Sequence, residues 1–227
     1  MSTTTGPNPA VSNQRSLAKY RKKARFYDTT TGRTSPLRAR TIDLLQLQPG
    51  DIVLDAGCGT GLSFALLLEG VGAGGHVVGI DQSPQMCALA RQRVQREGWP
   101  NVTVIEGIIE TTLLQRQFDA LLFNYAHDIS RTSTAIKNIF DHAKPGARVA
   151  VAGMKFFPWW TGPLNMYAFF KNYAWNGLRG GLWRPWDIIQ KYVPDLKVRT
   201  TQLGMGYVAH GRHKPSTCNH GEPDRRP

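Results

Sequence analysis

Three glycines at alternate positions, Gly57, Gly59 and Gly61, follow an apolar run and an acid in Ile52-Val53-Leu54-Asp55-Ala56. No other feature constrains the fold as tightly. After the glycines comes Leu62-Ser63-Phe64-Ala65-Leu66-Leu67-Leu68, which suits a helix. A strand running into a glycine turn that opens a helix is the first corner of a doubly wound α/β sheet. Glycine belongs in such a turn because the backbone must reach positive φ and because a ligand comes too close for a Cβ. The spacing also discriminates between ligand sites, the alternatives being a nicotinamide site or a glycine turn that binds nothing. A dinucleotide fingerprint, Gly-x-Gly-x-x-Gly, needs glycine at 62, where the chain has Leu62.

The alternation of strand and helix patterns continues. Val77-Val78-Gly79-Ile80 reads as a buried strand ending at Asp81, and Ser83-Pro84 as the N-cap and first residue of a helix that Gly98 closes. Val102–Ile105 and Phe118–Phe123 read as strands three and four. Lys144-Pro145-Gly146-Ala147 reads as a turn into a fifth strand, Arg148–Ala152. Segments 196–203 and 207–210 read as a closing antiparallel pair. A helix over 36–47 precedes the first strand. Strands separated by helix-length segments predict a single α/β domain, Rossmann-like and doubly wound, with a mostly parallel sheet. The expected division is a basic, partly disordered arm over 1–40, a core over 41–211 with an aromatic insert at 154–186, and a disordered tail over 212–227.

The pattern Asp55-x-Gly57-x-Gly59-x-Gly61, with its downstream partners, resembles motif I of the class I S-adenosylmethionine-dependent methyltransferases. The resemblance implies a seven-stranded sheet of order 3-2-1-4-5-7-6 with strand seven antiparallel, and S-adenosyl-L-methionine as cofactor. It places Asp55, Ala56, Gly57, Cys58, Gly59 and Gly61 beneath or beside the methionine end. Asp81, which ends strand two, is expected to accept both ribose hydroxyls, with Gln82 and Met86 bordering the adenine. Where the family has Gly-Asp-Ala after strand three, this chain has Gly107-Ile108-Ile109. Backbone amides of Ile108 and Ile109 are then expected at the ring edge, with both isoleucine side chains packed on it. The main chain at Asn124-Tyr125, where strand four ends, is expected at the methionine amino group. Tyr27-Asp28 resembles the Tyr-Asp of quinone- and phospholipid-type methyltransferases, in which an N-terminal helix closes over the cofactor.

On the acceptor side, Asn124-Tyr125-Ala126-His127-Asp128 lacks both prolines of the Asn-Pro-Pro-Tyr signature found in enzymes that methylate base or glutamine amides. Tyr125 and His127 are the candidate catalytic residues, since His127 has a pKa range suited to base duty; the alternative is that His127 or Asp128 caps the next helix. Five of the six tryptophans lie between 159 and 186, interleaved with Phe, Tyr and Lys. Pro158, Pro163 and Lys171 break that stretch too often for it to span a bilayer. It reads as a lid over a lipophilic acceptor, an interfacial segment, or core.

The net charge of +12 is unevenly spread. Residues 1–40 carry nine Lys/Arg against one acid, residues 41–153 eight against eleven, and residues 154–227 eleven against four. Such flanks attract phosphates, of an anionic membrane or of nucleic acid, or merely solubilise the chain. The expected acceptor is small or lipid-like, a quinone precursor or phospholipid headgroup, with peripheral contact to an anionic membrane. The rival readings are an RNA or other nucleic-acid methyltransferase, less favoured for want of a recognisable RNA-binding module, and a non-catalytic cofactor-binding scaffold. Three cysteines without zinc-ligand spacing, and a start without an apolar signal, lead to the expectation of no metal and a cytoplasmic location.

Overall fold

A computed structural model of the protein describes residues 35–155, 162, 183–201 and 204–215. Tyr27, the basic arm before residue 35, most of the aromatic insert and the tail beyond 215 lie outside the described residues. In chain order the elements are α1 (Ser35–Asp43), β1 (Ile52–Ala56), α2 (Phe64–Val71), β2 (His76–Asp81), α3 (Pro84–Glu97), β3 (Val102–Glu106), β4 (Phe118–Asn124), α4 (His127–Ser130), α5 (Ser133–Asp141), β5 (Ala143–Met154), α6 (Asp187–Gln190), β6 (Lys197–Thr201) and β7 (Gly206–Arg212). The strands form one sheet in the order β3-β2-β1-β4-β5-β7-β6. β7 runs antiparallel to β5 and β6, and the other pairs are parallel. This is the order and orientation that the resemblance implied.

The central strands are buried on both faces, and their side chains alternate between two apolar layers, with a shift of phase between Phe118 and Ala120 in β4. Val53, Val77, Ala120, Leu122 and Ala150 pack with Ile42 and Leu45, with Phe64, Leu67 and Val71 of α2, and with Ala90 of α3. Leu54, Val78, Leu121, Phe123, Val149 and Val151 pack on the other face with Ile136, Ile139 and Phe140 of α5. Period-two alternation with both halves apolar explains why these strands read as unbroken hydrophobic runs. α3 is bounded as its sequence predicts. Ser83 caps it by accepting the Met86 N–H, Pro84 opens it, and Gly98 ends it in the left-handed region at φ +66°.

Two boundaries differ from the sequence-based expectation. β5 begins at Ala143 rather than Arg148, because Ala143 already pairs with Phe118. The Lys144–Ala147 turn is then an irregularity within the strand, with Gly146 at φ +78°. α1 ends at Asp43, not at Leu47, and reaches back to Ser35. Its Arg38 is only 9% exposed, so that cation belongs to the folded core rather than to a solubilising arm.

The amino-terminal ends of the strands are tied together by charge. Arg148 meets Asp51 at 2.7 Å with both side chains largely buried, and Lys144 meets Asp119 at 2.7 Å. Asp119 also accepts the Ile52 N–H at 3.0 Å, which with Lys144 holds its carboxyl below the usual range despite the opposing desolvation. Removing one partner of a buried pair strands the other. Arg148→Met should therefore cost about 3 kcal/mol or more, lowering Tm by roughly 6–12 °C. Adding Asp51→Asn should recover part of the loss. Calorimetric melts of the three proteins measure both effects.

Candidate active site

Parallel α/β sheets place ligand sites at the carboxyl ends of the strands, where the strand order reverses. Here that point lies between β1 and β4. The turn after β1 is shaped by backbone groups of β2. The Ile80 carbonyl accepts the N–H groups of Gly57 (2.8 Å) and Cys58 (3.0 Å), and Gly61 N–H closes on the Cys58 carbonyl at 3.0 Å. Gly57, Gly59 and Gly61 all have positive φ, at 77°, 56° and 75°. Their missing side chains serve different ends. A Cβ on Gly61 would lie 2.5 Å from the Phe64 ring, so that glycine makes room for the core. A Cβ on Gly59 would meet nothing within 4 Å and would fill open space over the turn. Gly59 therefore leaves a cradle that the protein itself does not fill.

Asp81 is drawn into this turn. Its Oδ2 accepts the Gly59 N–H at 3.0 Å and its Oδ1 the Ser83 N–H at 2.8 Å. Burial pushes its pKa up, and these two hydrogen bonds oppose the rise. The carboxylate expected at the ribose thus also pins the glycine turn. Each oxygen keeps a second lone pair for a ligand hydroxyl.

Asp55, the penultimate residue of β1, lies on the same face as Val53. Asn124, one rung further along on β4, shares that face with Ala120 and Leu122. Asp55 is 1% exposed. Its Oδ2 and the Oδ1 of Asn124 are buried without any hydrogen-bond partner. Arg38 Nε is buried and unpartnered too. Burial raises the Asp55 pKa to about 7, against the pull of Arg38 and a Ser63 hydrogen bond and with a smaller push from Asp81. A buried polar atom left unpaired costs about 1–3 kcal/mol, so three together mark a place that expects a partner. Two acceptors and one cationic donor complement a zwitterion: an ammonium for Asp55 and Asn124, a carboxylate for Arg38. Arg38 is a candidate site residue that the sequence reading missed. Its only signal was its place three residues before Thr41-Ile42, on the buried side of α1.

The remaining expected residues divide. Ala56 is fully buried in β1, Cys58 is buried with its thiol pKa driven up mainly by desolvation, and Met86 is 2% exposed. Gln82 is half-buried beside Asp81. Gly107 donates its N–H to the Asp81 carbonyl at 3.0 Å, which brings the end of β3 to the same rim. Ile108 is 42% exposed there. Ile109 is not: its side chain joins the core, and Asn138 of α5 binds its carbonyl at 2.6 Å. The expected pair of isoleucines on a ring therefore reduces to Ile108. Tyr125 sits at φ +58°, strained for a non-glycine residue, as backbone at functional sites often is. His127 opens α4, 8% exposed, and its Nε2 accepts the Met154 N–H at 3.2 Å. Burial, helped by Arg131, lowers its pKa to about 4, so the ring is neutral at pH 7.

The profile of a family described as "Methyltransferase domain" matches residues 47–176, more than half of the chain. A demethylmenaquinone methyltransferase of Listeria welshimeri is 28% identical over 134 residues, which cover 57% of this chain and 57% of that relative. The chain thus spans little more than half the length of that relative. Among solved structures, a SAM dependent methyltransferase from Aquifex aeolicus superposes with a TM-score of 0.57 at 21% identity, covering 78% of this chain and 89% of that one. The N-methyltransferase NodS from Bradyrhizobium japonicum, in complex with S-adenosyl-L-homocysteine, gives 0.61 at 17% identity, covering 91% and 99%. At such identities the likeness is one of fold.

The glycines should separate in their effects. Gly59→Ala keeps its neighbours and adds only left-handed strain of about 1–2 kcal/mol. It should nevertheless weaken S-adenosylhomocysteine binding by more than about tenfold, or ~1.4 kcal/mol. Gly61→Ala should instead unsettle the fold, because overpacking against Phe64 costs about 1–3 kcal/mol. Titration calorimetry beside thermal melts distinguishes the two; undiminished binding by Gly59→Ala would empty the cradle of meaning.

Proposed function

The chain belongs to the class I S-adenosylmethionine-dependent methyltransferase family, and we propose that it methylates a small lipophilic acceptor of the quinol type. The observation that carries the cofactor half is the set of unpaired buried atoms at the switch point. Asp55 and Asn124 offer acceptors to the amino group of the methionine end, and Arg38 faces its carboxylate. Gly59 leaves room beside them, Asp81 receives the ribose hydroxyls, and Gln82 and Ile108 flank the adenine. Ala56, Gly57, Cys58, Gly61, Met86, Gly107 and Ile109 shape the walls from behind.

When bound, S-adenosylmethionine supplies a methyl group activated by its sulfonium. The task of the chain is alignment and exclusion of water. Tyr125, at the carboxyl end of β4, is the side chain assigned to the acceptor. A quinol-type acceptor is supported by the name of the Listeria relative and by the sequence of the aromatic insert, in which Trp, Phe and Tyr alternate with Lys and Pro. The basic flanks fit an approach to an anionic bilayer. Among the described residues, no helix is long and apolar enough to cross a membrane.

Asp55 makes the cofactor half testable through pH. Its pKa in the fold, about 7, lies above its ordinary value of 3.8, so between those values the folded state binds more protons than the unfolded chain. Stability of the free protein should then fall as pH rises from about 4 to about 7 and level off above. S-adenosylhomocysteine affinity should move the opposite way, because the ammonium of the ligand needs the carboxylate. The rise should approach about tenfold per pH unit below 7. Asp55→Asn should abolish that slope; an unchanged slope would place the amino group elsewhere. At saturation near 100 times Kd, the ligand should add about 2.7 kcal/mol and raise Tm by roughly 5–10 °C, whereas NAD should do nothing.

The acceptor half is tested with methyl-labelled cofactor. A reduced demethylnaphthoquinone in anionic vesicles should become labelled, while RNA and the aqueous phase should not. Label in RNA alone would favour the nucleic-acid reading. Binding of S-adenosylhomocysteine without label in any fraction would favour a scaffold.

A further inference from the structure

The parallel ladder between β4 and β5 ends on a side chain. Asn124 pairs with Ala152, and the Tyr125 N–H donates to the Ala152 carbonyl at 2.8 Å. In a regular ladder the next rung would run from the Met154 N–H to the Tyr125 carbonyl. It runs instead to His127 Nε2, at 3.2 Å. The chain has already left β4 through the left-handed backbone of Tyr125.

The surroundings are built for that ring. A Cβ on Gly153 would stand 2.8 Å from His127 Cε1 and 2.9 Å from the ring of buried Tyr207, so only glycine there admits both. On the other side the turn leans on the glycine loop. A Cβ on Gly57 would stand 3.1 Å from Ala126 Cβ and 3.2 Å from Ile129 Cδ1. Among the described residues, the rings of Tyr125 and buried Tyr207 and the cation of Arg131 lie around His127, a setting that favours uncharged imidazole. With Nε2 accepting a hydrogen bond, the proton of a neutral imidazole resides on Nδ1.

We infer that His127 is a positioning residue whose imidazole replaces a strand carbonyl, locks the end of β5 to the Tyr125-Ala126 turn, and fixes the backbone that presents Asn124 and Tyr125. A general base needs its lone pair for the substrate, and this one is committed to the main chain. What Asn124 and Tyr125 are presented to rests on the methyltransferase reading; the hydrogen bond does not.

The test uses ring-nitrogen NMR of the parent protein and S-adenosylhomocysteine titrations of the parent, His127→Gln and His127→Leu. The ring should keep its Nδ1–H form between about pH 5 and 8. Gln places an amide oxygen near the position of Nε2, so it should bind within about threefold of the parent, whereas Leu strands a buried N–H and should bind about 5- to 100-fold more weakly. A ring that titrates near its ordinary 6.5, a proton on Nε2, or a Leu variant as tight as the parent would overturn the inference. If the Leu variant does not fold, the parent spectrum and Gln affinity decide: a Gln variant weaker by more than about tenfold counts against the inference. A parent that ignores S-adenosylhomocysteine would defeat the methyltransferase reading, and the ring spectrum would still decide the hydrogen bond.

Discussion

The Asp81 carboxylate, which receives the Gly59 N–H on one oxygen and the Ser83 N–H on the other, holds the site in shape. Three glycines with positive φ have little conformational preference of their own and lose the most entropy when ordered. Something outside the turn must define it. The Ile80 carbonyl captures its first two N–H groups, and Asp81 captures the next donor from the adjacent residue of the same strand. The cap of α3 starts from that carboxylate as well. One side chain therefore couples the glycine turn, the end of β2 and the entry to a helix. Each oxygen keeps a lone pair to spare, so on the proposed reading the group that shapes the site would also receive the ribose hydroxyls.

How far this was legible in sequence depends on the range of the interaction. The glycine spacing, the acid at 81 and the Ser83-Pro84 start with Gly98 stop are local signals, each answering to backbone geometry within a few residues, and the fold agrees with them. Arg38 was hidden because counting charge over 1–40 averages a buried cation with many unconstrained ones. Ile109 reads as one of a pair packed on the adenine until Asn138 of α5, 29 residues away in sequence, binds its carbonyl. The early start of β5 was obscured by Lys144-Pro145-Gly146, a strong turn signature that the sheet absorbs as an irregularity. The link from His127 to Met154 spans 27 residues and follows from strand order and register, not from any motif.

Charge is handled in opposite ways at the two ends of the sheet. At the foot, Asp51, Asp119, Lys144 and Arg148 satisfy one another at short range, and Asp119 also takes a backbone N–H. At the head, Asp55, Asn124 and Arg38 keep buried polar atoms unpaired, a cost of about 1–3 kcal/mol each. A domain whose total stability is about 5–15 kcal/mol can carry such a deficit only if the rest is well satisfied. The paired foot and the two apolar layers provide that margin. On the proposed reading the unpaired head would convert it into affinity, since a ligand that completes those atoms would recover desolvation cost already incurred in the free protein. Strain at Tyr125 fits the same division: the left-handed turn is held by a ladder bond on one side and the His127 imidazole on the other, both anchored in β5, the strand whose foot carries Lys144 and Arg148.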